Sequence, residues 1–139
     1  MASYTKFNAF VADVANKVHN LGSDTLKIML TNTAPVATNA VKADITEISA
    51  GSGYSAGGAT VTITSSSQTS GTYKLLPASQ PVLTASGIVG PFRYAVLYNS
   101  TTASGNLIAW WDRGTSIALA SGDQFTYGID LTNGILQLT

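Results

Sequence analysis

Cysteine is absent from this 139-residue chain, which excludes disulfides, thiolate nucleophiles and zinc–thiolate centres and fits synthesis in a reducing compartment. Histidine occurs once, at His19, and a single imidazole does not make a metal cluster. No metal or other cofactor is therefore expected. Charge is scarce: Asp, Glu, Lys and Arg make up 10% of the residues, seven of each sign, and neither sign forms a run. A nucleic-acid binder ordinarily carries a basic stripe, so nucleic acid is not an expected partner. No apolar run approaches the roughly 20 residues of a bilayer-spanning helix, and membrane is not expected either. The first residues also lack the basic-then-apolar pattern of a secretory signal.

The carboxylates offer little chemistry. Asp13, Asp24, Asp44, Glu47, Asp112, Asp123 and Asp130 stand mostly beside turns or helix ends, where Asp satisfies backbone donors. Asp112 has Arg93 and Arg113 as prospective ion-pair partners, and no pattern pairs two carboxylates for glycoside hydrolysis. Gly51-Ser52-Gly53-Tyr54-Ser55-Ala56 formally matches a dinucleotide fingerprint, but it leads into a strand instead of opening a helix. It reads as a flexible loop. No catalytic residue emerges, and the chain is not expected to be an enzyme.

What the sequence does have is β-forming material around one long hairpin. Pro91 to Asn99 alternates Phe92, Tyr94, Val96 and Tyr98 against Arg93, Ala95 and Leu97. A polar connection leads to Leu107–Asp112, with Leu107, Ala109 and Trp111 facing one way and Ile108 and Trp110 the other. Both faces are largely apolar, as in strands covered on two sides. Leu26–Leu30 reads as an earlier strand. Thr60–Thr64 reads as another, paired with Thr72–Leu76 through Ser70-Gly71. Val82–Thr84, Ser116–Leu119, Gln124–Asp130 and Ile135–Leu138 follow, with Asn133-Gly134 as the strongest hairpin signal. Asp44–Ile48 reads as a short helical turn or an edge strand, with the turn preferred. Ahead of these strands Phe7, Phe10, Val11, Val14, Val18 and Leu21 form an apolar stripe at helical spacing, with Gly22 placed to end the helix. The expected fold is mainly β (α+β): an antiparallel β-sandwich or barrel-like domain of about eight strands with one N-terminal helix. One domain spans 1–139, with the helix over 4–21 and the β domain over 25–139.

Candidates for partner contact are Phe7 and Phe10 on the helix stripe, Tyr54 in the glycine loop, and Trp110, Trp111 and Arg113 at the end of the hairpin. Adjacent tryptophans face opposite ways in a strand, so core packing of one or both is expected. An outward one would suit an interface or a sugar ring.

Several blocks carry a likeness. They are His19–Pro35, Asp44–Ile48, Gly53–Gly58, Gly90–Asn99, Leu107–Asp112 and Ser121–Phe125. Together they resemble a family of small structural proteins of tailed bacteriophages. The resemblance implies a non-enzymatic virion protein, with the head surface as its expected place. There it would be a decoration or cement protein that bridges major capsid protein subunits, forms a homo-oligomer on the particle and stabilises the capsid. Many decoration proteins open with a disordered arm that adds a strand to the capsid, whereas this chain reads as opening with a helix. That departure keeps a tail- or fibre-associated role as the alternative, with a carbohydrate-binding module behind it.

Overall fold

The computed structural model describes residues 3–139. The fold is mainly β, in antiparallel sheets with a single α-helix among the described residues, as the sequence leads one to expect. In order the elements are β1 (Thr5–Lys6), α1 (Asn8–Ala15), β2 (Leu26–Thr31), a 3-10 turn (Lys42–Asp44), β3 (Ala59–Val61), β4 (Ile63–Thr69), β5 (Thr72–Pro77), β6 (Val82–Thr84), β7 (Val89–Asn99), β8 (Leu107–Leu119), β9 (Gln124–Thr126) and β10 (Leu136–Leu138). Where about eight strands were expected there are ten among the described residues. β1 is an addition, the Thr60–Thr64 strand divides at Thr62, and Ser116–Leu119 is the end of β8. A five-stranded sheet runs β1-β8-β7-β2-β3, a three-stranded one β10-β5-β4, and β6 pairs with β9.

The five-stranded sheet is covered on both faces. Leu26, Ile28, Leu30, Leu97, Ala109 and Trp111 face the main core, where they meet Leu75 and Leu136 from the three-stranded sheet and Leu83 from β6. On the opposite face Met29, Val96, Tyr98 and Leu107 pack beneath Phe7, with Ile45 and Trp110 beside them. Strict alternation fails at two places. Register shifts flank Phe92 and separate Leu97 from Tyr98, and each shift moves side chains across the sheet. Phe92 and Ile108 therefore join the main core, while Leu107 lies with Val96 and Tyr98.

The helix is half as long as its stripe implies. Thr5 and Lys6 pair with Trp110 and Ala109 instead of coiling, and α1 ends at Ala15. Its end is a Schellman arrangement. Lys17 takes the left-handed conformation (φ 63°), Val18 N–H reaches the Asp13 carbonyl at 2.9 Å and Lys17 N–H the Val14 carbonyl at 3.4 Å. Lys17, not Gly22, is thus the terminator. Phe10 and Leu21 are buried, but Val11 is 62% exposed, so the stripe is cut short on the side away from the sheet.

The Asn133-Gly134 hairpin is also corrected. β9 stops at Thr126 and pairs with β6, and β10 pairs with β5. Asp130 accepts the N–H groups of Thr132 and Asn133, each at 2.8 Å, which folds this stretch into a local side-chain-capped turn. Ser70-Gly71 is the two-residue hairpin turn, with φ of 51° and 82° and Thr69 opposite Thr72. Both positive φ values are those of the primed turn that matches strand twist. The glycine loop expected to be flexible is instead packed on β2: a Cβ on Gly58 would collide with the Ile28 carbonyl oxygen.

Replacing Phe10, 1% exposed, by Ala is expected to remove about 3–5 kcal/mol of unfolding free energy; an unchanged urea midpoint would contradict its place in the core. Lys17→Gly is expected to act in the opposite direction. It relieves a left-handed L-residue and should add about 0.5–1 kcal/mol, read as a higher melting temperature.

Candidate functional site

β7 and β8 pair residue for residue from Ala95 opposite Trp111 to Tyr94 opposite Asp112. The next pair is Phe92 opposite Ile117, so Arg113 to Ser116 leave the ladder as an excursion. Local bonds hold it. Gly114 N–H donates to Asp112 Oδ1 at 2.8 Å, Arg113 Nη1 donates to the Thr115 hydroxyl at 3.0 Å, and the Ser116 hydroxyl donates to Asn32 Oδ1 at 2.7 Å. The departing strand opens a cleft of about 200 Å³ between β7–β8 and the chain from Phe125 to Gly128.

Leu30 and Trp111 line this cleft together with Phe125 and Tyr127. Phe125 meets both Phe92 (4.9 Å between centroids, 72°) and Tyr127 (5.3 Å, 64°) edge-on, the geometry that ring quadrupoles favour. At the rim Arg93 holds Asp112 bidentately, Nε to Oδ1 at 2.7 Å and Nη2 to Oδ2 at 2.8 Å. That hydrogen bonding, with the Gly114 N–H, holds the Asp112 carboxyl below the usual carboxylate range. The Arg93 guanidinium also lies 5.2 Å from the centre of the Tyr94 ring. Burial pushes the Tyr127 hydroxyl up to about 12, so it stays a neutral O–H at physiological pH. The cleft thus combines apolar aromatic walls, a charge-neutral, partly exposed ion pair and Arg113 as an exposed cation. It is suited to a small ring or a partner's side chain that packs on Phe125 and hydrogen-bonds the ion pair.

The six candidate contact residues do not gather there. Phe7, Phe10, Tyr54 and Trp111 are between 0% and 7% exposed, so this fold spends them internally. Trp110 is half-buried against Phe7, 4.5 Å between centroids, on the far face of the sheet. Trp111 and Arg113 alone among them border the cleft. Arg93, Tyr94, Phe125 and Tyr127 are cleft residues that the sequence reading did not single out as a site. Asp112-Arg113-Gly114 interrupting an apolar strand was the signal that the ladder breaks there.

Two further polar clusters are structural. Glu47 Oε1 accepts the Tyr54 hydroxyl at 2.7 Å and the Gly57 N–H at 2.6 Å, and burial drives the Tyr54 hydroxyl strongly upward. His19 lies under Asn99. The Asn99 side-chain Oδ1 accepts Thr101 N–H at 2.9 Å, so its Nδ2 donates to His19 Nδ1 at 3.1 Å. The His19 proton then sits on Nε2, which has no hydrogen-bond partner among the described residues and lies 3.9 Å from Asp13. Among the described residues no three His, Cys, Asp or Glu side chains come together to hold a metal ion, and no helix is long and apolar enough to cross a membrane. No protein-family model, no curated protein and no solved structure matches this chain.

Burial lowers the His19 pKa from 6.5, against the opposing pull of Asp13 and Asp24. Below pH 6.5 the unfolded chain takes a proton that the folded chain refuses, so this contribution is present above that pH and lost on acidification. Between pH 7.5 and 5.5 the wild type should lose more unfolding free energy than His19→Gln. The difference is bounded by about 1.4 kcal/mol per pH unit for one proton. Equal losses in the two proteins, measured by urea denaturation, would contradict the neutral buried imidazole.

Proposed function

We propose that this chain is a structural protein of a tailed-bacteriophage virion, a head decoration protein that stabilises the capsid by binding across neighbouring major capsid protein subunits. The observation that carries this reading is the likeness of the blocks from His19 to Phe125. Those blocks form β2, the packed glycine loop, β7 and the start of β8, so the likeness lies in the framework as a whole and not in one short motif. A sheet covered on both faces and a loop anchored by Glu47 support it further, since a clamp needs a body that does not deform under load. A protein that binds only the assembled lattice stabilises it by mass action, and simultaneous contacts to several subunits raise avidity. Seven charges of each sign in 139 residues favour contacts that are mainly apolar and hydrogen-bonded.

A second reading, glycan binding, is favoured by one observation: the aromatic cleft beside the Arg93–Asp112 pair. Aromatic faces and bidentate polar groups are what a sugar ring with neighbouring hydroxyls requires. Tail or fibre attachment is the remaining alternative for a virion protein.

The test adds purified protein to heads that lack it, to isolated tails and to immobilised bacterial glycans. Saturating, stoichiometric binding to heads is expected, with a higher rupture temperature and only modest weakening as salt is raised. Binding to tails alone, or to glycans without any effect on heads, would overturn the decoration reading.

A further inference from the structure

Within the three-stranded sheet β4 is the outer strand, with β5 on its inner side and no strand beyond it among the described residues. It is seven residues long, Ile63–Thr69, and exposed over most of its length. The other outer strands are much shorter: β1 has two residues, and β3, β10, β6 and β9 have three each. Natural proteins blunt long edges with lysine, proline or bulges, because unpaired N–H and C=O groups recruit another strand. β4 has none of these over Ser65–Thr69. Its residues Ile63-Thr64-Ser65-Ser66-Ser67-Gln68-Thr69 carry no charge and no proline, and its one register shift lies at the start, between Ile63 and Ser65.

We infer that this edge pairs with β4 of a second copy of the same chain, antiparallel about a two-fold axis. The resulting sheet would be continuous across the dimer, in the order β10-β5-β4-β4-β5-β10. Two features select a second copy arranged this way. First, a head-to-tail contact needs a different straight edge of comparable length on the same chain; the outer strands besides β4 have three residues or fewer, and the open side of β8 beyond Trp110 is bulged over Arg113–Ser116 and carries Asp112 and Arg113. A symmetric contact needs only one such edge, used twice. Second, the strand is neutral along its whole length, so two copies meet without like charges opposed, which cross-strand pairing penalises. The one charged residue in this sheet is Lys74, one strand further in, opposite Ser67. The edge is also pre-shaped. The Ser70-Gly71 turn, closed by Gly71 N–H on Gln68 Oε1 at 3.1 Å, holds β4 straight against β5, so little conformational entropy is lost when a second strand is added. This inference goes beyond the decoration reading and does not depend on it.

The experiment uses purified protein alone, without heads, so that its outcome is separate from any capsid binding. Sedimentation from micromolar to millimolar concentration is expected to show a monomer–dimer equilibrium. Amide exchange within Ile63–Thr69 is expected to slow as dimer forms. Ser67→Lys sets cations against each other across the two-fold axis and should restore the monomer mass; because it also faces Lys74 of its own sheet, a small fall in melting temperature is expected, with cooperative unfolding of the dilute protein retained. Ser67→Thr, which keeps the strand neutral, should retain the dimer. A wild type that is monomeric at every concentration, or a dimer that survives Ser67→Lys, would overturn the inference. So would a dimer whose exchange protection falls elsewhere than β4.

Discussion

The fold depends on a sheet that has no bare face. In β2, Leu26, Ile28 and Leu30 point to one side and Met29 to the other, and every residue from Ile28 to Thr31 is buried. Each large apolar side chain in such a strand is worth about 1.5–3 kcal/mol when covered on folding, so exposing either face would forgo several of these contributions at once. The first cover is the three-stranded sheet with β6 and β9. The second is small, and much of it comes from the first residues of the chain. β1 clips onto β8 at Trp110 and Ala109, Phe7 then drops onto the second face, and Phe10 enters the main core. The N-terminal segment therefore crosses the edge of the sheet within a few residues. That is why it begins as strand and turns helical only after Phe7.

The same strand explains the loop from Lys42 to Gly58. β3 pairs only with Leu26 to Ile28, which leaves the outer edge of β2 beyond Ile28 without a strand partner. Loop groups take over. Ile48 N–H donates to the Leu30 carbonyl at 3.0 Å, and Leu30 N–H donates to the Tyr54 hydroxyl at 3.0 Å, which in turn donates to Glu47. An unpaired buried amide costs about 1–3 kcal/mol, so Tyr54 is held in place by backbone need as much as by its own ring. Close approach of the loop to β2 is also what excludes a side chain at Gly58. A segment whose glycines look like freedom is thus one of the more constrained parts of the surface.

Much of this was legible in the residues. The central hairpin, the first strand and the Ser70-Gly71 connection follow from alternation and turn chemistry alone, whereas the helical turn read over 44–48 lies earlier, at Lys42–Asp44, and Glu47 bridges Thr31 as an edge residue does. The failures share a cause: long-range pairing overruled a local signal. Thr5 and Lys6 fit a helix but are claimed by the edge of β8. Asn133-Gly134 is a strong hairpin dipeptide, yet Ile135 N–H bonds the Leu75 carbonyl, and β5 takes the last strand. Bulges moved Phe92 and Ile108 across the sheet, which alternation has no means of foreseeing. The cleft was missed for the same reason, since its aromatic wall comes from β9 and its rim from a broken β7–β8 ladder. Phe7, Phe10, Tyr54 and Trp111 are buried because large rings are the residues a core requires most.

The excursion in β8 is the feature that stability explains least. A hairpin of this length gains most from an unbroken ladder, yet Arg113 to Ser116 leave it beside the best ion pair in the molecule. Arg93 and Asp112 are each more than a third exposed, and a pair of that kind contributes at most about 1 kcal/mol. It does not offset the cross-strand bonds that the excursion gives up. What the excursion does achieve is geometric: it turns Arg93 and Asp112 into a planar polar edge above Phe125 and Tyr127 and opens the space between them. Bulges that re-aim side chains in this way cluster next to binding sites, and local departures from the most stable arrangement are where folds carry their work. The body of the protein is thus built for rigidity, while this corner is built for shape.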